Sequence, residues 1–301
     1  MKRKMKKKIG KDGIIFRQEG NTVVQVLGSE GSLKYGAICI NPDAPQEDRI
    51  YQKTFYKKPV YLPNEYDSFV KEHLSFPDNF VLTMNGYSYM GEEHLLRYGI
   101  KDGEYEAACE AILKNAIKHL RMKFDGARLQ ITYGASDMGV DMAIENIARY
   151  FNIDLLGFSC PEYMLYVKDD EIPVFVAANS DDYADYYIRS SDLLITTGGR
   201  KQALEHDVLA TCIYNKRVHF VDVLNSLSST GGVPATIKGK DGKINVDNAA
   251  AAFGRNISFY NRDNALAQAP VNGDKWDAIF NNINSVATEV CRSKMSPARM
   301  F

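Results

Sequence analysis

The sequence predicts an α/β protein in which helices cover both faces of a parallel sheet. From residue 80 to residue 223, short apolar, β-branched runs alternate with longer segments whose apolar residues recur every three or four positions. The clearest example is 193–223, where LLITT is followed by Gly198-Gly199, an amphipathic segment and a second β-branched run. This alternation is typical of parallel sheets, because each helix carries the chain back across the sheet.

The individual elements follow from these patterns. We predict strands at 80–86, 127–134, 153–159, 173–178, 193–197 and 217–223, with short helices at 64–74 and 182–190. The strongest helix spans 104–124, and its apolar stripe consists of Ile112, Leu113, Ala116, Ile117, Leu120 and Phe124. A helix that ends near Phe151 pairs Glu145 with Arg149 at a favourable spacing. The last helix of this alternating region, 200–214, places Leu204, Val208, Thr211 and Cys212 on one face.

The sheet region is flanked by segments of different composition. Residues 1–12 contain the basic run MKRKMKKK and are expected to form a flexible tail. Residues 13–77 contain short β-rich runs separated by Gly, Asn and Pro, which predict a small antiparallel extension ahead of the core at 78–223. Residues 224–301 form a C-terminal extension, with a loop-rich segment, a candidate hairpin at 238–246 and a helix at 274–291.

Composition and charge exclude several classes of function. A formal net charge of -1 gives no overall field toward nucleic acid or membrane. The five cysteines are scattered and form no C-x-x-C pair, so neither a disulfide framework nor a zinc site is expected. We therefore expect a cytoplasmic protein with no bound metal, no cofactor and no membrane contact.

Three glycine-containing loops follow predicted strands and are the candidate ligand site. Carboxyl ends of parallel strands share one edge, and glycine there lets a ligand approach the backbone. Unpaired amides at the start of a helix favour a phosphate or another anion, and two basic side chains follow the last glycine pair. The candidate ligand residues are Gly86, Tyr87, Ser88, Gly134, Ala135, Ser136, Asp137, Gly139, Asp141, Thr197, Gly198, Gly199, Arg200, Lys201 and Gln202. The alternative is that each glycine serves only a tight turn.

The segment ITYGASDMGVDMAIENIARYFNID and the later TTGGRKQALE resemble the Rossmann-like SLOG superfamily. That group includes the DNA-processing protein Smf/DprA and the LOG phosphoribohydrolases, and the resemblance covers residues 80–223. It implies a three-layer Rossmann-like fold with a nucleotide site. The LOG motif P-G-G-x-G-T-x-x-E ends in a catalytic glutamate, and Gly198, Gly199 and Glu205 keep its spacing. The resemblance therefore implies a catalytic role for Glu205.

The chain departs from the LOG pattern at two places. Thr197 stands at the proline, and Lys201-Gln202 stand at the Gly-Thr pair. The region 178–183, where LOG enzymes carry a catalytic arginine, has no arginine but contains Asp182, which is a candidate acid or base alongside Asp137 and Asp141. These departures favour binding over turnover, whereas the retained Glu205 favours catalysis.

Three functions remain open at this point. The protein could cleave or transfer the N-glycosidic bond of a nucleotide, or it could bind a nucleotide as a sensor without turnover. It could also bind single-stranded DNA through basic and stacking residues, as the DNA-processing relatives of the superfamily do, although its near-neutral charge disfavours this. The expected partners are a nucleotide-like small molecule and further copies of the chain, in a dimer or higher oligomer.

Overall fold

The structure is a computed structural model, and it describes most of the chain between residues 57 and 228. The described residues are 15–19, 22–28, 35–40, 50–55, 57–88, 98–123, 128–161, 163–199, 202–214, 216–221, 223–228 and 257–260. The predicted basic tail, the candidate hairpin at 238–246 and the candidate helix at 274–291 lie outside them.

Eight parallel strands form the main sheet, which confirms the predicted fold class. They are β5 (Val60–Tyr61), β6 (Asn79–Asn85), β7 (Arg128–Tyr133), β8 (Asp154–Ser159), β9 (Val174–Val176), β10 (Leu193–Thr196), β11 (Arg217–Val221) and β12 (Ile257–Tyr260). Their spatial order is β12-β11-β10-β6-β7-β8-β9-β5. The chain leaves β6 in one direction and resumes with β10 on its other side, so the order reverses between β6 and β10. Ligands of such sheets bind at this point.

Helices cover both faces of the sheet. They are α1 (Tyr66–His73), α2 (Glu104–Lys123), α3 (Gly139–Phe151), α4 (Ser180–Arg189), α5 (Val208–Ile213) and α6 (Val223–Leu227). Short 3-10 helices occupy Pro63–Glu65 and Met164–Tyr166, and a π-helical turn occupies Gln202–Asp207. Side chains of a strand alternate between two cores: Leu193 and Ile195 of β10 pack with α2 and α3, whereas Leu194 packs with α4. This arrangement is the predicted three-layer fold.

The helix stripes agree with the sequence patterns, but one predicted ion pair is wrong. The stripe of α2 is buried at Ile112, Leu113, Ala116, Ile117 and Leu120. Glu145 of α3 does not pair with Arg149; its carboxylate accepts a hydrogen bond at 2.7 Å from Lys168 Nζ in the β8–β9 connection. Glu145 is buried and bonded to Lys168, whereas Arg149 is exposed.

The segment before the core contributes to two sheets. Strands β1 (Ile15–Glu19), β2 (Thr22–Gly28), β3 (Tyr35–Ile40) and β4 (Ile50–Phe55) form a separate antiparallel sheet. The residues after it, β5 and α1, belong to the main body, because β5 pairs with β9 and Phe69 of α1 lies in the second core. At the opposite edge of the main sheet, β12 comes from the C-terminal region. No helix in the described part of the chain is long and apolar enough to cross a membrane.

A buried lysine holds the start of the main body against the β8–β9 connection. The Lys58 side chain is fully buried, and its ammonium contacts the Asp170 carboxylate and donates to the Ile172 carbonyl at 2.9 Å. The backbone N–H groups of Lys57 and Lys58 both donate to Asp169. Burial lowers the pKa of Lys58, and the hydrogen bond to Asp170 opposes this shift. The segments at 57–58 and 169–172 are therefore fixed to each other.

Candidate functional site

A cavity of about 620 Å³ opens at the carboxyl ends of β6 and β7, at the point where the strand order reverses. The lining residues come from the loops after these strands, from α3 and α4, from the β8–β9 connection and from the π-helical turn. They are Asn85, Gly86, Tyr87, Ser88, Gly134, Ser136, Met138, Val140, Asp141, Tyr163, Tyr166, Tyr183, Tyr187, Ala203 and Asp207. A volume of this size suits a small-molecule ligand.

The first loop requires glycine at its bend. A Cβ atom at Gly86 would collide with the hydroxyl of Tyr105 and with Oγ1 of Thr197. These two hydroxyls are hydrogen-bonded to each other at 2.8 Å, and the Tyr105 oxygen also accepts from Tyr87 N. The bend therefore packs directly on the buried start of α2 and turns Tyr87 and Ser88 toward the cavity.

The second loop closes around Asp141 of α3. The Asp141 carboxylate accepts hydrogen bonds from Gly134 N at 3.0 Å, Ser136 N at 3.1 Å and Ser136 Oγ at 2.6 Å. Ala135 between them has φ of +59°, which the three bonds hold in place. Burial raises the pKa of Asp141 to about 6, although these hydrogen bonds act in the opposite direction. Asp141 thus borders the cavity chiefly as the residue that shapes its loop.

The same loop is joined to the first one at Gly139. Gly139 begins α3 with φ of +54°, and Val140 N donates to the Tyr87 carbonyl at 2.9 Å. A Cβ atom at Gly139 would collide with the carbonyl oxygens of Tyr87 and Ser88. The start of α3 therefore lies directly against the backbone of the first loop.

The third loop is bonded to the first through Thr197. Thr197 is fully buried, and both its backbone N–H and its hydroxyl donate to the Asn85 carbonyl at 3.0 Å. Its side chain fills the contact with Tyr105 instead of lining the cavity. Gly198 and Gly199 follow with φ of +104° and +140°, values that favour glycine.

The segment after this loop differs from the predicted helix. The sequence predicts one continuous α-helix at 200–214, but its first described part, Gln202–Asp207, is a π-helical turn that leads into α5. The wider turn buries Ala203 and Asp207 beside the cavity. A 3.6-residue periodicity cannot anticipate this register.

The π-helical turn brings a carboxylate to the cavity floor that the sequence did not single out. Asp207 accepts a hydrogen bond at 2.7 Å from Nδ2 of Asn85, the last residue of β6. Both residues are buried, and they are 122 positions apart in the chain. The only sequence signal was an asparagine directly before the first glycine bend.

Four tyrosines that form an aromatic wall of the cavity were also not predicted from the sequence. Tyr163, Tyr166, Tyr183 and Tyr187 line one part of the cavity. The rings of Tyr183 and Tyr187 lie 5.2 Å apart, and that of Tyr163 packs edge-on against Tyr183 at 6.1 Å. Burial raises the pKa of Tyr183 and of Tyr187 well above that of a free tyrosine, so both hydroxyls stay protonated at neutral pH. The spacing of Tyr183 and Tyr187 on one helix was the available signal.

The predicted site residues fall into four groups. The cavity is lined by Gly86, Tyr87, Ser88, Gly134, Ser136 and Asp141. Directly behind this lining lie Ala135, Gly139, Thr197, Gly198 and Gly199. Asp137 is exposed and Asp182 is exposed and bonded to Asn179 at the start of α4, and neither is among the lining residues. Arg200, Lys201 and the side chains of Gln202 and Glu205 are not among the described parts of the structure.

The described lining is acidic. It contains the carboxylates of Asp141 and Asp207 and no Lys, Arg or His side chain. Within the same part of the chain, no group of three or more His, Cys, Asp or Glu side chains is placed to hold a metal ion. The described walls therefore suit hydrogen-bond donors and aromatic groups better than anions.

Replacement of Asp141 by asparagine should change how stability depends on pH. The pKa of the buried Asp141 is raised from 3.8 to about 6, so the folded state binds this proton more tightly than the unfolded state. Its contribution to the free energy of unfolding is therefore full below pH about 4 and declines by on the order of 2–3 kcal/mol as pH rises through about 6. Urea titrations at pH 4 and pH 7 measure the difference in the free energy of unfolding between the wild type and Asp141→Asn. The same difference at both pH values would contradict a raised pKa.

Comparisons with known proteins add little to this geometry. No protein-family model matches the chain, and no curated protein matches it. Among solved structures, 66 chains match, and one of them is the X-ray structure of TM1055, a structural genomics target. It is 14% identical, with a TM-score of 0.36, and the match covers 60% of this chain and 91% of that one.

Proposed function

We propose that the cavity binds a nucleotide or a phosphorylated nucleoside derivative. The observation that carries the proposal is one cavity at the reversal of strand order, which two glycine loops line and which the third, at Gly198-Gly199, supports from behind. The resemblance of TTGGRKQALE to the SLOG superfamily supports the same ligand class.

The wall chemistry supports a nucleoside in the body of the cavity. The tyrosines supply faces on which a base can stack, and such stacking contributes about 1–3 kcal/mol per base. The Asn85–Asp207 pair supplies polar partners on the floor. With two carboxylates nearby, the phosphate would lie toward the Gly198-Gly199 loop, which Arg200 and Lys201 follow in sequence.

A test of binding compares two tyrosine variants. Tyr166 lines the cavity and is half-exposed, whereas Tyr150 of α3 is 69% exposed and is not part of the lining. Isothermal titration calorimetry with AMP, GMP, CMP and UMP is expected to find at least one ligand whose affinity falls about tenfold in Tyr166→Ala. Tyr150→Ala should bind it as the wild type does. Absence of binding for all four nucleotides, or an equal effect of both variants, would contradict the proposal.

Hydrolysis or transfer of the N-glycosidic bond is a second candidate. It is favoured by the buried Asp207 carboxylate at the cavity floor, since a fixed carboxylate stabilises the positive charge that develops on the sugar. Mass spectrometry of nucleotides incubated with the protein would detect released base. Release that is abolished in both Asp207→Asn and Glu205→Ala would establish the enzyme, whereas an intact bound nucleotide would establish binding without turnover.

A further inference from the structure

The orientation of the Asn85 amide is fixed by its neighbours. Its Nδ2 donates to Asp207 Oδ2 at 2.7 Å and lies 3.5 Å from the Ala203 carbonyl, and both of these partners are acceptors. The NH₂ group must face them, so Oδ1 points away from them. Oδ1 is buried and has no hydrogen-bond partner among the residues that the structure describes.

An unpartnered buried acceptor on a cavity lining requires an explanation, because nearly all such atoms are satisfied in folded proteins. Asn85 itself lines the cavity and is 6% exposed. The atom that is missing a donor therefore belongs to a lining residue but is itself covered, so a ligand reaches it only when the side chains around it move. A bound molecule with an O–H or N–H group would satisfy it.

The surrounding groups limit which part of a nucleotide fits here. Asp141 already accepts three hydrogen bonds from its own loop, and Tyr187 donates its hydroxyl to the Met84 carbonyl. Ionised phosphate oxygens are acceptors, so phosphate has no hydrogen to donate to Oδ1 of Asn85 or to the Asp207 carboxylate. The bidentate pairing of an asparagine with adenine needs both amide atoms, and Nδ2 is already committed to Asp207.

We propose that the Asn85–Asp207 pair accepts neutral hydrogen-bond donors of the ligand and so holds the nucleoside, with its phosphate directed away from the cavity floor. This rests on the nucleotide site proposed above. Two parts of a nucleotide carry suitable adjacent donors: the vicinal hydroxyls of ribose, and the edge of guanine with its ring N–H and 2-amino group. Both present the same chemistry to the pair.

The experiment removes donors from the ligand one at a time. Dissociation constants of AMP, GMP, their 2′-deoxy forms and IMP, which lacks the 2-amino group of GMP, are measured by calorimetry at pH 7.5. For the wild type, loss of one donor is expected to weaken binding by about tenfold or more. The 2′-deoxy forms report ribose, and the comparison of GMP with IMP reports guanine.

Variants assign this discrimination to the pair. Asn85→Ala removes the acceptor, and Asp207→Asn replaces the carboxylate at nearly constant shape. In both variants, the ratio of the dissociation constants of the donor-deleted and the intact nucleotide is expected to fall below about threefold. The matched control is Asn146→Ala, since Asn146 also donates to a carboxylate, that of Glu110 at 2.8 Å, but on the exposed helix surface. This control should keep the wild-type ratio.

The outcomes separate this inference from the proposed function. If a nucleotide binds the wild type but every donor deletion changes its affinity less than about twofold, the inference is overturned and the nucleotide site stands. Discrimination that survives in both folded variants also overturns it. If none of the nucleotides binds, both proposals fail. Should the variants prove unfolded by their melting curves, the wild-type ratios decide the inference alone.

Discussion

Replacement of Gly139 by alanine is expected to lower the free energy of unfolding by about 3 kcal/mol or more and to disrupt the cavity. Gly139 has φ of +54°, and an added Cβ would collide with the carbonyl oxygens of Tyr87 and Ser88. These are backbone atoms, so no side-chain rotation relieves the contact. The Val140 N–H also bonds the Tyr87 carbonyl, so separating the loops would break that hydrogen bond. Urea denaturation followed by circular dichroism measures the loss.

Gly103 provides the matched control for Gly139. It also has a positive φ, of +77°, but an added Cβ there would meet nothing within 4 Å. Gly103→Ala should therefore lower the free energy of unfolding by only about 1 kcal/mol, the cost of placing alanine at a positive φ. The excess cost at Gly139 isolates the contact between the two loops. Equal losses at the two positions would mean that the loops are not packed against each other.

Replacement of Asp170 by alanine is expected to destabilise the protein by about 3 kcal/mol at neutral pH. Among the described residues, the change leaves the fully buried ammonium of Lys58 with only the Ile172 carbonyl as its direct partner. Removal of one partner of a buried pair costs more than the pair itself contributes, because the remaining charge is desolvated. The loss of the bond from Ile172 N to Asp170 adds to this cost, and Asp170→Asn, which keeps an acceptor there, separates the two effects.

The pH dependence of this variant has a definite sign. Burial lowers the pKa of Lys58, so the unfolded state binds its proton more tightly, and stability rises with pH toward the ordinary lysine pKa. Without Asp170 the pKa falls further, and the destabilisation should therefore be smaller at pH 9 than at pH 7. Lys58→Met, which removes the charge and leaves the partly exposed Asp170 hydrated, should cost less than Asp170→Ala at pH 7. The reverse order would contradict a buried ammonium at this position.

The fold was predictable because local patterns and topology agree along the core. The stripe of α2 has one spacing, and the predicted strand at 193–197 is found as Leu193–Thr196 with alternate residues in the two cores. Connections between parallel strands are almost always right-handed, and this rule then determines on which face of the sheet each helix lies. Strands β4 and β12 were not predicted individually. The β-rich run that contains β5 was assigned to the antiparallel extension, but β5 pairs in parallel with β9 of the main sheet.

The site was predictable only in its backbone. The glycine loops meet because carboxyl ends of neighbouring strands share an edge, and this follows from the strand order. The side chains on the cavity floor depend instead on register. A contact between Asn85 and Asp207 across 122 positions, set by a π-helical turn, leaves no local pattern in the sequence. The aromatic wall likewise draws on the β8–β9 connection, whose path the tyrosine spacing does not encode.

The π-helical turn also makes the cavity floor sensitive to the number of residues between the third glycine loop and α5. A π-helical turn carries about one residue more than an α-helical turn, which is the signature of a single-residue insertion. Deletion of one codon within 202–206 would let the turn revert to α-helical geometry, and the residues after it, Asp207 included, would rotate by about 100° around the helix axis. Asp207 would then leave the side of the helix that faces Asn85, and the floor would lose its carboxylate while every strand and glycine loop stayed intact. A change of length at this one turn would therefore alter the polar groups that face the cavity without altering the fold.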